Sequence, residues 1–253
     1  MFNEYFLIAL IVFTSSLLVG SVIVAISRLI ISSKRQDLHA VQAAHVTPVP
    51  RIGGVAIICA LFVSLIFQLG YSDQADITSK LLFSTVPIFF VGLSEDLGLL
   101  TSPRVRILAA AASGAIFMCL FGEWLPRADF PGLDYIVKWT PFAIMLSIFL
   151  TVGVSHAFNL IDGLNGLASL TAISAALALA TIAHNSELYA HRDVMVLLIV
   201  AIFGFLLLNF PFPKIFLGDA GAYSIGHMLA WISISILWHA DHVTPWAILL
   251  IFF

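Results

Sequence analysis

The sequence predicts an all-α, polytopic transmembrane helix bundle. Of the 253 residues, 61% are hydrophobic and only 10% are charged, whereas soluble domains carry about 25% charged residues. The apolar residues occur in runs of about 20, the length that a helix needs to cross the hydrocarbon core. Since no polar stretch is long enough for a soluble insertion, we expect a single integral-membrane domain over residues 1–253.

About eight complete helices and a truncated ninth account for these runs. The first run is too long for the hydrophobic region of a signal peptide and lacks a basic start, so we expect an uncleaved transmembrane helix. The ninth run begins near Pro245 and stops at Phe253 in the middle of its apolar stretch, so the chain looks truncated. The predicted spans are 5–28, 52–70, 81–99, 105–123, 141–158, 164–183, 194–210 and 221–238.

The distribution of Lys and Arg predicts the orientation, because cytoplasmic loops carry the excess of these residues. If the 28–51 loop is cytoplasmic, that side holds seven of the eleven Lys and Arg residues. The N-terminus then lies outside, and the loops 99–105, 159–163 and 211–220 lie inside.

Four carboxylates lie at or just inside the predicted inner ends of the helices, flanked by apolar residues: Glu95, Asp96, Asp162 and Asp219. An ionised carboxylate at membrane depth is costly unless it is paired, coordinated or solvated in a cavity. Four such groups on one face suggest a shared counter-ion, and clustered carboxylates hold a hard divalent cation well. We therefore predict a functional site on this face.

The first motif is VGLSEDLG, residues 91–98. Adjacent Glu95 and Asp96 point about 100° apart on a helix, so both can reach one polar cavity only near its rim. The pair is either solvated at a helix end or used as a metal ligand or general base.

The second motif is FNLIDGLNGLA, residues 158–168. Asn159 and Asp162 are three residues apart and share one face if the segment is helical, while its glycines allow close approach of a ligand. A plain Asn/Asp/Gly turn would also explain it. For the preceding His156 we expect a local hydrogen-bond partner at a helix end rather than a role as a ligand.

Two further motifs carry basic residues. In NFPFPKIFLGDAGAYSIG, residues 209–226, Lys214 reaches toward the inner aqueous side, and Asp219 opens the next helix. Asp219 is either an ordinary N-cap or the point where a metal-bound phosphate meets free backbone N–H groups. In HVTPVPRIGG, residues 45–54, Arg51 either binds phosphate or acts only as a positive-inside anchor.

The four motifs together resemble the polyprenyl-phosphate N-acetylhexosamine-1-phosphate transferases, members of glycosyltransferase family 4. HVTPVPRIGG, the acidic pair followed by SPRVR, NLIDGLNGLA and PKIFLGDAGAYSIG occur in the family's order over nearly the whole chain. That family includes the peptidoglycan lipid I translocase and the enzymes that start O-antigen and teichoic-acid chains. The resemblance implies about ten or eleven helices and an active site on the cytoplasmic face of the bacterial inner membrane.

The implied reaction moves a sugar-1-phosphate from a UDP-linked amino sugar to undecaprenyl or another polyprenyl phosphate, releasing UMP, with Mg²⁺ or Mn²⁺ as cofactor. The expected partners are these substrates, the lipid bilayer and a second copy of the chain in a homodimer, with no nucleic acid. The resemblance implies catalytic roles for Asp96, Glu95 and Asp162, with Asp96 as base or orienter for the lipid phosphate. It also implies metal binding by Asp219 and Asp162 and substrate binding by Asn159, Asn165, Lys214 and Arg51.

The sequence departs from the family at several positions. Many members have Asp-Asp where this chain has Glu95-Asp96, the translocase's following Lys is absent, and the translocase carries Asp where Asn165 stands. These differences favour the O-antigen or capsule branch. The family's histidine-containing cytosolic loop near the C-terminus is missing because the chain stops at Phe253. We therefore expect a chain ending there to be inactive by itself.

Two other functions compete with this one. A transporter would place ionisable groups near the midplane of the membrane, on broken helices with internal repeats, whereas these acids cluster at one face and the motifs do not repeat. The other is a non-catalytic membrane partner in a glycan-assembly complex. Release of UMP distinguishes both from the enzyme, and the identity of the sugar cannot be read from the sequence.

Overall fold

A computed structural model describes residues 2–33, 49–68, 72–99 and 101–252. These residues form helices and no strands, and seven of the helices are long and apolar enough to cross a membrane. The predicted all-α, polytopic bundle is thereby confirmed. The helices are α1 (Phe2–Ser33), α2 (Gly53–Phe67), α3 (Ser72–Asp96), α4 (Pro103–Phe121), α5 (Leu133–Val137), α6 (Thr140–Ile161), α7 (Leu167–Asn185), α8 (Tyr189–Asn209), α9 (Gly218–His239) and α10 (Pro245–Leu249), followed by a 3₁₀ turn at Leu250–Phe252.

Each of the eight predicted spans coincides with a helix, but hydropathy misplaced some of the ends. Helix α3 begins at Ser72 rather than near residue 81, and its polar first turns contain an ion pair of 2.7 Å between Lys80 and Asp76. Hydropathy marks the lipid-embedded part of a helix and not its end, which explains the difference. Helix α2 has only 15 residues, or about 22 Å at 1.5 Å per residue. The short helix α5 was not predicted.

Helix α9 forms the centre of the bundle. It packs against α2, α3, α4, α6 and α7, and its whole apolar window is buried. Helices α1 and α8 pack against each other and against α2, so they lie outside this centre. Within the core, the ring of Trp231 on α9 stacks on that of Phe117 on α4, with 4.3 Å between the ring centroids.

Glycines bring α2 and α3 into backbone contact with the first half of α9. A Cβ atom at Gly54 of α2 would lie 2.2 Å from the backbone nitrogen of Gly221, and one at Gly92 of α3 would lie 2.6 Å from that of Ala220. Small residues at such crossings are typical of packing between membrane helices. Because α9 is approached this closely, the ends of α2 and α3 are fixed relative to its N-terminus.

The segment between α8 and α9 is hydrogen-bonded to the start of α2 at the same end of the bundle. The N–H groups of Gly53 and Gly54 donate to the carbonyl oxygens of Phe216 and Leu217, at 2.9 and 2.8 Å. These bonds satisfy N–H groups in the first turn of α2, which have no partner within their own helix.

Most of the predicted 28–51 loop, including Lys34, Arg35 and His45, lies outside the described residues.

The buried Asn209 side chain links the α6–α7 connection to the segment that precedes α9. Its Oδ1 accepts from the N–H of Gly166 at 2.7 Å, and its Nδ2 donates to the carbonyl of Ile215 at 2.9 Å. Replacing Asn209 with Leu leaves both backbone groups buried and unpaired, at about 1–3 kcal/mol each. We expect a lower thermal unfolding midpoint in detergent, measured by intrinsic fluorescence. The exposed Asn185→Leu variant is the control, and equal midpoints for the two variants would refute the linking role.

Candidate active site

Three acidic residues from distant parts of the sequence meet at one end of the bundle. Asp96 ends α3, Asp162 follows α6, and Asp219 lies in the first turn of α9. Asp162 interacts electrostatically with the other two carboxylates and with Arg51, which lies just before α2. The structure therefore brings together Asp96, Asp162, Asp219 and Arg51, which the sequence had predicted only to share one face.

Asp96 anchors the N-terminus of α9. Its Oδ1 accepts from the N–H of Asp219 at 2.8 Å, and its Oδ2 accepts from the N–H of Ala220 at 2.9 Å. A carboxylate at this position satisfies free N–H groups of the helix and interacts favourably with the helix dipole. Sequence reasoning missed this anchoring role. The role of Asp96 as base or orienter for a lipid phosphate stays a prediction.

Asp219 is held by side chains from two other helices. Asn159 on α6 donates from Nδ2 to Oδ1 of Asp219 at 2.9 Å, and Nη1 of Arg106 on α4 lies 3.6 Å from Oδ2. Asp219 is the second residue of α9, and the N-cap position belongs to Leu217, so the alternative of an ordinary N-cap is wrong. The N–H groups of Asp219 and Ala220 are bound by Asp96, and the Asp219 carboxylate is directed toward Asn159 and Arg106.

Arg106 is a site residue that sequence reasoning did not single out. It belongs to the SPRVR stretch that directly follows the acidic pair, and it occupies the first turn of α4. The sequence did contain a signal for Arg106: its helix starts shortly after two acidic residues at a membrane boundary. Only the crossing of α4 with α9 shows that this cation faces Asp219.

The pKa of the Asp162 carboxyl is raised to about 7. Burial is the largest cause, and the nearby charges of Asp219 and Asp96 raise the pKa further, whereas the Gly218 N–H and Arg51 lower it. A carboxyl with this pKa is only partly ionised near neutral pH. A cation bound between these carboxylates would favour the ionised form.

The remaining predicted site residues are placed differently. Glu95 accepts from the N–H and the hydroxyl of Thr101 at 2.8 and 2.6 Å, so it closes the connection between α3 and α4. Lys214 lines a separate cavity of about 230 Å³ together with Leu208 and residues of α1. Asn165 is half-buried in the turn between α6 and α7. Of these three residues, the structure joins none directly to the acidic cluster.

The carboxylates suit a metal ion that takes most of its ligands from the substrate and from water. In the described ranges, no group of three or more His, Cys, Asp or Glu side chains is close enough to hold a metal ion. Mg²⁺, however, is commonly bound through one or two carboxylates, with substrate phosphates and water as its other ligands. Both oxygens of Asp96 accept hydrogen bonds from the backbone of α9, whereas Asp162 accepts one, from the Gly218 N–H, and Asp219 binds the side chains of Asn159 and Arg106. Asp162 and Asp219 are therefore the two carboxylates that fit this requirement best.

The fold and the site together define a multi-spanning membrane protein with an acidic cluster at one end of its central helix. The chain belongs to glycosyl transferase family 4, whose family model matches residues 78–237. The matched residues include three of the four motifs and end close to the last residue of α9. The family membership predicted from the motifs is confirmed.

The chain is also similar to phospho-N-acetylmuramoyl-pentapeptide-transferases of several bacteria. It is 30% identical to that of Bacillus subtilis (strain 168) over 199 residues, which cover 73% of this chain and 60% of the relative. It is 29% identical to that of Streptococcus suis (strain 05ZYH33) over 197 residues, covering 74% of this chain and 59% of the relative. The chain thus spans about three fifths of the length of these relatives. The O-antigen or capsule branch stays a prediction.

Proposed function

We propose that the protein transfers N-acetylhexosamine-1-phosphate from a UDP-linked amino sugar to undecaprenyl phosphate, releasing UMP. The observation that carries this proposal is the convergence of Asp162, Asp219 and Arg51 at the N-terminus of α9. Membership in a glycosyl transferase family supports it and favours it over a transporter. The excess of Lys and Arg on the same side supports a cytoplasmic site in the bacterial inner membrane.

In this reaction an oxygen of the lipid phosphate attacks the β-phosphorus of the UDP-sugar. A new P–O bond forms, the bond from the β-phosphorus to the bridging oxygen breaks, and UMP leaves with that oxygen and its electron pair. The product is a polyprenyl diphosphate that carries the sugar. Because both reactants are anions, the main tasks of the site are charge neutralisation and alignment.

The residues of the site suit these tasks. Bound to Asp162 and Asp219, Mg²⁺ or Mn²⁺ would neutralise the diphosphate and stabilise the departing UMP. Asn159 orients Asp219 through its hydrogen bond of 2.9 Å. Arg51 adds positive charge beside Asp162. Asp96 holds the N-terminus of α9 in place through its hydrogen bond to the Asp219 N–H.

Two classes of donor compete within this function. The Glu95-Asp96 pair and Asn165 differ from the lipid I translocase and favour an unsubstituted N-acetylhexosamine donor. The similar proteins are named as phospho-N-acetylmuramoyl-pentapeptide-transferases, which favours a UDP-N-acetylmuramoyl-pentapeptide donor. We propose the first donor class on the basis of the residues in the motifs themselves.

The test is UMP release by the full-length protein in lipid nanodiscs that contain undecaprenyl phosphate. The donors are UDP-N-acetylglucosamine, UDP-N-acetylgalactosamine, a UDP-deoxy-aminosugar and UDP-N-acetylmuramoyl-pentapeptide, each with Mg²⁺, Mn²⁺ or EDTA. We expect release with an N-acetylhexosamine donor, dependent on both lipid and divalent cation. Release with the pentapeptide donor alone would overturn the proposed donor class. No release with any donor by the folded full-length protein would overturn the proposed enzymatic function.

A control variant for this assay is Asp76→Asn. Asp76 lies at the opposite end of α3 and its side chain is 55% exposed, with Lys80 as its partner. An exposed ion pair of this kind contributes little to stability. We therefore expect the control to release UMP at the rate of the unmodified protein.

A further inference from the structure

A cavity of about 220 Å³ lies beside Asp219, between α4, α6 and α9. We call it the α4–α6 cavity. Its lining is divided between polar and apolar side chains. The polar side chains are Arg106, His156, Asn159 and Tyr223, and the apolar ones include Ile107 and Leu160.

The polar wall of this cavity is continuous with the acidic cluster. Arg106 and Asn159 both line the cavity, and both contact the Asp219 carboxylate, at 3.6 and 2.9 Å. A ligand held in the cavity is therefore separated from Asp219 by a single side chain. Arg106 also gives this wall a positive charge that suits an anionic group.

The apolar wall faces the surface of the bundle. Leu160 is 83% exposed and Ile107 is 49% exposed, and the neighbouring Leu108 is 67% exposed. In a bundle that spans a membrane, exposed leucine and isoleucine side chains meet lipid tails, which are equally apolar. A ligand that fits both walls has an anionic head and a hydrocarbon chain. A nucleotide sugar has no such chain.

His156 has one ring nitrogen committed to the protein and the other left for a ligand. Its Nδ1 lies 2.9 Å from the carbonyl oxygen of Val152, and since a carbonyl only accepts, Nδ1 must carry the hydrogen. The local partner expected from the sequence is thus confirmed. Nε2 can then accept from a phosphate hydroxyl in the neutral ring, or donate to a phosphate oxygen in the charged ring. The ring is positioned by Tyr223, with 5.0 Å between the two ring centroids.

We propose that His156 is a substrate-binding residue for the acceptor, holding the phosphate of a polyprenyl phosphate in the α4–α6 cavity through Nε2. This inference rests on the proposed function. Arg106 supplies the opposing charge, and the first isoprenyl units lie against Ile107 and Leu160. The bound phosphate is then next to Asp219, where the nucleotide sugar arrives from the aqueous side. The sequence favoured a local partner for His156 over a role as a ligand, and this proposal departs from that expectation by giving the ring both.

The first experiment measures lipid binding and does not depend on catalysis. Purified protein in detergent is titrated with undecaprenyl phosphate, with undecaprenol, which lacks the phosphate, and with UDP, and binding is followed by native mass spectrometry. A lost hydrogen bond to a charged group weakens binding about tenfold or more. We expect His156→Ala to lose this much affinity for undecaprenyl phosphate alone, and His156→Asn to restore part of it.

The matched control is His242→Ala, since His242 is an exposed histidine whose partner is Ser186, the residue directly after α7. Unchanged affinity of His156→Ala for undecaprenyl phosphate, or a loss of affinity for UDP instead, would overturn the proposal. An equal loss of affinity for undecaprenol would show that His156 contacts the hydrocarbon part of the lipid rather than its phosphate, and would also overturn the proposal. Thermal unfolding midpoints of both His156 variants must match that of the unmodified protein for these comparisons to count.

A kinetic measurement separates this inference from the proposed function. If the protein releases UMP, His156→Ala should raise KM for the lipid acceptor and leave KM for the donor unchanged. A different result is that the unmodified protein releases no UMP, while His156→Ala still binds undecaprenyl phosphate more weakly than the unmodified protein does. In that case the proposed function fails and the acceptor site stands. If UMP is released and the acceptor KM does not change, the role of His156 fails and the proposed function stands.

Discussion

Asp219→Asn is expected to lower kcat/KM for UMP release by about 10²–10³-fold, the range seen when one electrostatic contact to a transition state is removed. The amide has the shape of the carboxylate, and its oxygen can still accept from Asn159. The negative charge opposite Arg106 and beside Asp162 is lost. The variant therefore separates the charge of Asp219 from its packing.

Folding should be preserved in this variant. The anchoring of α9 depends on the Asp219 backbone N–H and the Asp96 carboxylate, which the substitution does not alter. We expect a thermal unfolding midpoint close to that of Asp76→Asn, together with a higher Mg²⁺ concentration for half-maximal activity. Undiminished activity with unchanged Mg²⁺ dependence would show that Asp219 does not bind the ion.

Gly218→Ala is expected to have the largest effect on folding. Gly218 has a φ of +76°, and a Cβ atom there would lie 1.8 Å from the carbonyl oxygen of Arg51 and 2.7 Å from Oδ2 of Asp96. A left-handed conformation costs a residue other than glycine about 1–2 kcal/mol. The clash adds to this cost because the carbonyl belongs to the backbone. Relief would require the segment before α2 to move away from α9 and would disturb the bonds from Asp96.

We expect this variant to lose more than about 3 kcal/mol of stability, to unfold at a lower temperature in detergent and to release no UMP. The control is Gly153→Ala on α6, where a Cβ atom would meet nothing within 4 Å. Alanine is the better helix former by about 0.5–1 kcal/mol, so the control should be neutral or slightly stabilised. Equal unfolding midpoints for the two variants would contradict the packing described here.

The acidic helix ends show how far a prediction from the sequence could extend. Hydropathy located Asp96, Asp162 and Asp219 at helix ends on one predicted face, and the structure brings all three together. Hydropathy could not show that Asp96 binds the backbone of α9, since that contact joins residues 123 positions apart. Asp219 was consequently open to interpretation as an N-cap, and Glu95 was grouped with Asp96 although its side chain binds Thr101.

The basic residues show the same limit. The sequence placed Arg51 and Lys214 on the same inner side, but Arg51 lies beside the acidic cluster, whereas Lys214 lines a cavity with α1. Arg106 belongs to the SPRVR stretch and was given no role of its own, yet it faces Asp219. Position relative to the membrane can be inferred from the Lys and Arg count, but the direction of a long side chain depends on which helices cross near it.

The sequence by itself determined the polytopic helix bundle and the family, because hydropathy and motif order are local properties of the chain. The tertiary structure alone decided that Asp96 binds backbone N–H groups of α9 and that Asp219 faces Asn159 and Arg106. It also decided that His156 and Arg106 share one cavity. The physical reason is that these arrangements arise where α4 and α6 meet the central α9, through contacts between residues far apart in the chain.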